Sequence, residues 1–169
     1  MIAHKRIDII VSTLVIISLC FCLCAMAFAD ELVSAAGGSG VKMKYEAVLF
    51  DTDEAITINI LIDEDEWQNM LDNAINEEYV CCDVEINDET IKNVGIRPKG
   101  NTSLTSIVND PDSDRYSFKL EFDKYIEGQT CMGLDKLVLN NNYADATDMK
   151  EALVYDMYSF LGADASLYN

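Results

Sequence analysis

Arg97 and Lys99 stand in the stretch NVGIRPKGNTS (93–103), beside Gly100, Asn101, Thr102 and Ser103. These residue types can hold an anion. Arginine offers a bidentate fork, lysine a point charge, and a Gly-Asn-Thr-Ser turn offers backbone N–H groups that can point inward at a phosphate. Lys92 adds a third cation close by. The spacing is not that of a Walker loop, which needs G-x-x-x-x-G-K-[ST], and an ordinary hairpin tip is the competing reading.

A second candidate pair is Lys119, in an alternating segment, and Glu151, in a helical one. Protein kinases hold nucleotide phosphates with a strand lysine whose position a helix glutamate fixes. Glu151 lies off the main apolar stripe of its segment, on the side of Tyr155 and Tyr158, so a solvated residue is the plain alternative. Asp110, Asp112, Asp114 and Glu121 fall at positions 1, 3, 5 and 12 of a calcium loop. Arg115 occupies the glycine position, however, and a strand follows where a helix should exit, so a solvated acidic loop is the better reading and no metal site is assigned. Asn101-Thr102-Ser103 is formally a glycosylation sequon. The single histidine, His4, lies in the apolar leader, which excludes Ser-His and Cys-His catalysis for this chain. Phosphoryl transfer needs positioning, cations and carboxylates and so survives.

These residues sit in an acidic background. Residues 30–169 hold 10 Lys and Arg against 29 Asp and Glu. Such a surface repels phosphate backbones and anionic headgroups over roughly a Debye length, ~8 Å at physiological salt. Nucleic acid is therefore not an expected partner, whereas divalent cations and basic protein segments are. The length suits one domain with its own core.

Residues 1–29 read as a secretory signal peptide. His4-Lys5-Arg6 is a basic start, a long apolar run follows, and Ala27-Phe28-Ala29 before Asp30 is an A-x-A cleavage site. The run approaches the ~20 residues that span a bilayer, so an uncleaved anchor is the alternative, and it would be the chain's only membrane contact. Export follows in either case. Outside the leader remain Cys81, Cys82 and Cys131, an odd number. Adjacent Cys81 and Cys82 point to opposite faces of a strand and so cannot form a two-thiol clamp. They read as small buried side chains, with one bridge to Cys131 possible.

The elements that must position the candidates follow from periodicity. SAAGGSG (34–40) is a small-residue linker within 30–44, and the folded domain is 45–169. AITINILI (55–62) alternates as a half-buried strand. Trp67, Met70, Leu71, Ala74 and Ile75 form one stripe of an amphipathic helix, with Asp63 and Glu66 suited to its amino end. YVCCDVEI, the turn NDET (87–90), and IKNVGIRPKG read as a β-hairpin in which Pro98 stops regular pairing. After a polar loop, RYSFKLEF (115–122) alternates aromatic and polar residues, placing Lys119 opposite the aromatics. LDKLVLNNN (134–142) is a short strand entering an Asn-rich turn. ATDMKEALVYDMYSFLG is a second amphipathic helix, with Met149, Ala152, Leu153, Met157, Phe160 and Leu161 on its stripe. Asp145 or Thr147 can cap it and Gly162 suits its C′ position. The fold class is α+β, a mainly antiparallel sheet with two amphipathic helices.

Taken together, EWQNMLDNA, IKNVGIRPKGNTSL, DRYSFKLEFDKYIEGQT, GLDKLVLNNNYADATDMKEAL and FLGADASLYN resemble, in order and spacing, the amino-terminal half of the CotH kinase family, the spore-coat protein H-like atypical protein kinases. The resemblance spans about residues 60–169 and rests most on R-x-K-G-N-x-S and L-N-N-N. It implies the amino lobe of a secreted or spore-coat kinase that uses ATP and Mg²⁺ to phosphorylate Ser or Thr of coat or other extracellular proteins. Carried onto this chain, Arg97, Lys99, Gly100, Asn101 and Ser103 would contact the nucleotide, and Lys119 and Glu151 would stand as the catalytic lysine and its glutamate. Family members continue well beyond Leu167-Tyr168-Asn169 with their catalytic and metal-binding aspartates. The expectation is thus a truncated, amino-terminal portion, inactive or nearly so alone. The alternative from another class is a non-catalytic extracellular module presenting an acidic surface to a coat or cell-wall partner.

Overall fold

The computed structural model describes residues 7–29, 43–51, 53, 55–87 and 89–169. They fall in two units, Met1–Lys42 and Met43–Asn169. In the first, α1 (Ile7–Ala27) holds a stretch, Ile9–Ala27, long and apolar enough to cross a membrane, with a mean hydropathy of 2.8. The predicted linker lies outside the described residues from 30 to 42, and at its carboxy end Lys44 already opens α2 (Lys44–Val48).

The second unit is α+β, as the periodicity predicts. Its five strands are β1 (Ile58–Leu61), β2 (Val80–Ile86), β3 (Glu89–Lys99), β4 (Ser117–Glu121) and β5 (Lys136–Leu139). They form one curled antiparallel sheet in chain order, each strand paired to the next. Strand alternation sends Val84, Ile86, Val94, Ile96 and Leu120 to one face, where they are buried with Leu49, Phe122, Cys131 and Leu137. The other face is mainly polar, with Leu61 and Val138 exposed on it. The predicted turn between β2 and β3 is described except at residue 88.

Between β1 and β2, α3 (Glu64–Asp72) lays Met70 on the core. Asp63 caps it, accepting from the backbone N–H groups of Asp65 at 2.9 Å and Glu66 at 3.3 Å. Trp67 packs against Phe118 of β4 with ring centroids 5.1 Å apart. The helix is shorter than its stripe predicts. Asn73 stops it by donating its side-chain amide to the Asn69 carbonyl, and a 3₁₀ turn (Ala74–Asn76) then buries Ala74 while leaving Ile75 exposed.

One further expectation is corrected. Pro98 does not end the pairing of β3, because Pro98 faces Phe118 and the ladder continues to Lys99–Ser117. β2 has already run out at Val80, so Pro98 has a neighbouring strand on one side only, a position that tolerates a missing donor. Residues 104–108, to which the periodicity assigns no element, join Thr102 and Ser103 of the expected turn in a short helix, α4 (Thr102–Val108), that buries Leu104 and Ile107.

The last helix, α5 (Lys150–Phe160), starts and stops where its signals lie. The Asp145 carboxylate accepts from the Lys150 N–H at 2.8 Å, and Gly162 takes the left-handed conformation at φ 71°. Its stripe is not part of the core: α5 has no buried residue, and Leu153, Met157, Phe160 and Leu161 are exposed.

A cationic sheet face as candidate functional site

The polar face of β3, β4 and β5 is built by register. Arg97 pairs across strands with Lys119, Lys99 with Ser117, Gly95 with Glu121, and Glu121 with Lys136. Because residues two apart share a face, Arg97, Lys99, Lys119, Glu121 and Lys136 all project on the side away from the core. Gly95 leaves room there for one more cation. A Cβ at Gly95 would stand 2.7 Å from Cγ and 2.8 Å from Cβ of Lys124, whose side chain lies across it. Five of the nine lysines and arginines between residues 43 and 169 therefore gather on one face of a chain whose net charge is −18.

Tyr79 sits at the centre of part of this cluster. The Lys124 ammonium is 4.6 Å and the Arg97 guanidinium 5.4 Å from its ring centroid, close enough for cation–π attraction. Its hydroxyl donates to Glu121 Oε2. Glu121 also takes Lys119 at 3.5 Å and Lys136 at 3.7 Å. The Tyr79 hydrogen bond holds the Glu121 carboxyl below the usual carboxylate range; burial acts against it, and Lys136 and Lys119 reinforce it. Arg97 pairs with Glu77, at the end of the 3₁₀ turn, and donates to the Pro98 carbonyl at 2.9 Å.

The expected pairing of Lys119 with Glu151 is not formed. Lys119 meets Glu121, two residues along its own strand, because β4 alternation puts both side chains on one face. Glu151, in the first turn of α5, instead accepts from Asn140 Nδ2 at 2.8 Å, and Asn140 Oδ1 accepts from the Lys99 ammonium at 3.2 Å. Arg97, Lys99 and Lys119 are thus brought together, and Glu151 joins them by way of Lys99.

Beyond β3 the chain turns at Gly100 with φ 136°, a backbone that L side chains rarely adopt. A Cβ there would stand 2.7 Å from the Ser103 hydroxyl, so Ser103 folds back against Gly100. Asn101 is exposed, and its side chain does not cap α4, while its carbonyl accepts from the Thr105 N–H at 3.0 Å.

Tyr79, Glu77, Lys124, Lys136 and Asn140 escaped the sequence reading as site residues. The K-x-E alternation at 119–121 was the available signal for the Lys119–Glu121 pair. Nothing local announces Tyr79 or Asn140, which arrive through tertiary placement.

The remaining candidates separate from this face. Asp110 is occupied locally, accepting from the Asp112 N–H at 3.1 Å, and Glu121 of the supposed calcium loop belongs to the lysine cluster. Among the described residues no group of three or more His, Cys, Asp or Glu side chains converges on a metal position. Cys81, Cys82 and Cys131 are free thiols, so the possible bridge is absent. Cys81 and Cys82 do point to opposite faces, the first exposed and the second buried, and burial pushes the Cys82 thiol up to about 12.

Residues 96–169 match the protein family described as CotH kinase protein, so the resemblance read from the sequence holds over that part of the chain. It takes in Arg97, Lys99, Lys119, Lys136, Asn140 and Glu151, and leaves out Glu77 and Tyr79. Comparison with the curated proteins and with the solved structures finds no match.

Proposed function

With residues 96–169 matching the CotH kinase family, we propose that this chain is the nucleotide-contacting, amino-lobe portion of an exported CotH-like protein kinase. Its cationic face would bind the phosphates of ATP·Mg²⁺. The observation that carries this reading is the gathering of Arg97, Lys99, Lys119, Lys124 and Lys136 on one sheet face of an otherwise acidic molecule. A phosphate chain fits such a donor set, with an arginine fork and several ammonium groups within reach. The donor set does not by itself fit a magnesium ion. Glu77 and Glu121 are engaged with cations, and Glu151 with Asn140. The metal would arrive with the phosphates and neutralise part of their charge. These residues bind and orient; transfer to Ser or Thr of a coat or extracellular protein would need groups beyond them.

The test is calorimetry of ATP·Mg²⁺ binding to the full chain in mild detergent. Lys99→Ala and Lys119→Ala should each weaken binding about tenfold, the loss of a charge-assisted contact. Wild-type binding no tighter than that of both variants would overturn the reading. A second reading, a non-catalytic extracellular binding module, has one observation in its favour: Leu153, Met157, Phe160 and Leu161 of the α5 region present apolar surface to solvent. It expects no nucleotide heat at all.

A further inference from the structure

We propose that Asn140 is the positioning residue through which Glu151 acts on Lys99, so that the cation held by the α5 glutamate is Lys99 and not Lys119. The ligand in this inference rests on the nucleotide reading above; the relay itself does not. Arg97 meets Glu77, and Lys119 and Lys136 both meet Glu121. Among the described residues Lys99 makes no ion pair. Its ammonium donates to Asn140 Oδ1 at 3.2 Å, and the same amide donates through Nδ2 to Glu151 Oε2 at 2.8 Å.

An amide in this place does what a direct carboxylate would not. A carboxylate against Lys99 would neutralise much of its charge. Through the amide, the carboxylate polarises the Asn140 carbonyl into a stronger acceptor while staying one side chain away. Lys99 is oriented at the cost of one of its three N–H donors, and two remain for an anion.

Both ends of the relay are anchored by backbone. Asn140 follows directly on β5, and its neighbour Asn141 is buried and fixed on both sides. The Asn141 N–H donates to Ser117 Oγ at 3.0 Å and its side-chain amide to the Arg115 carbonyl at 2.6 Å. Glu151 follows Lys150, whose N–H is held by Asp145. Ser117 is also the cross-strand partner of Lys99, so the anchor of Asn141 lies on the rung that carries the cation.

The experiment is a double-mutant cycle on the full chain, read as the Kd of ATP·Mg²⁺. Asn140→Ala and Glu151→Ala should each weaken binding about tenfold, and the double variant should lose no more than about twofold beyond either. Glu151→Gln, which keeps an acceptor oxygen for Asn140 but not the charge that polarises it, should bind measurably better than Glu151→Ala and more weakly than wild type. Multiplicative losses in the double variant, or no rescue by Glu151→Gln, would overturn the relay. A second readout needs no nucleotide: the side-chain amide signal of Asn140 in a ¹H–¹⁵N spectrum should move in both Lys99→Ala and Glu151→Ala. If wild type binds no ATP·Mg²⁺, the nucleotide reading falls and this signal decides the relay, which is overturned if either variant leaves it unmoved.

Discussion

Gly95 shows how tightly the cationic face is packed. It has no unusual backbone requirement, since it pairs regularly with Cys81 and Glu121. It is glycine because Lys124 and Tyr79 occupy the space a side chain would take, with Tyr79 Cδ1 at 3.0 Å and the inner carbons of Lys124 nearer still. The inner carbons of a lysine cannot swing aside as its ammonium can. Gly95→Ala should therefore destabilise the fold by about 1–3 kcal/mol, the ordinary range for overpacking. It should also displace Lys124 from the Tyr79 ring. Urea denaturation gives the first number, and an unchanged midpoint would show that the close approach is not maintained in solution.

At the scale of elements, α5 depends on polar anchors rather than on a buried stripe. Asp145 is the clearest of them. Its carboxyl is lowered from an ordinary 3.8 to about 2, first by the Thr147 hydroxyl and then by the backbone N–H groups of Lys150 and Thr147. A lowered carboxyl stabilises the folded helix start fully above its ordinary value and loses that contribution as pH falls toward the folded one. Amide protection at Thr147 and Lys150, whose N–H groups Asp145 holds, should persist at pH 5 and fade between about pH 4 and pH 2. Asp145→Ala should remove it already at pH 5. Equal protection in the variant would mean that the helix start is held by something else.

The same element marks where sequence reading stops. The type and ends of α5 were legible, because Asp145 and Gly162 are local signals; its burial was not, because a stripe says which residues can pack and not what they meet. The strands were legible for the same local reason. The Thr102–Val108 helix was not, since Ser, Thr and Val weigh weakly toward helix and only the spacing of Leu104 and Ile107 spoke for it. At the site, the cations could be listed from the sequence but their partners could not. Whether Lys119 meets Glu121 or Glu151 is decided by cross-strand register and by the path between β5 and α5, and the motif alone carries neither.

For the whole molecule, the meander order of the sheet keeps most pairings between neighbours in sequence. Lys136 stands on the edge strand β5, where a charge discourages pairing with another chain. The apolar helix α1 bears on where the molecule works. On the export reading, the secreted chain should begin at Asp30, after Ala27-Phe28-Ala29, and mass spectrometry of that form checks it. A membrane-bound chain retaining residues 1–29 would make α1 an anchor instead. Either form keeps Trp67, the chain's single tryptophan, against Phe118 on the face of the sheet opposite the cations. That position gives the protein an intrinsic fluorophore that senses the seating of α3 while standing apart from the cationic face. Its emission should redden when a substitution unseats the helix and stay constant when one merely removes a charge, so a single optical measurement separates loss of fold from loss of binding.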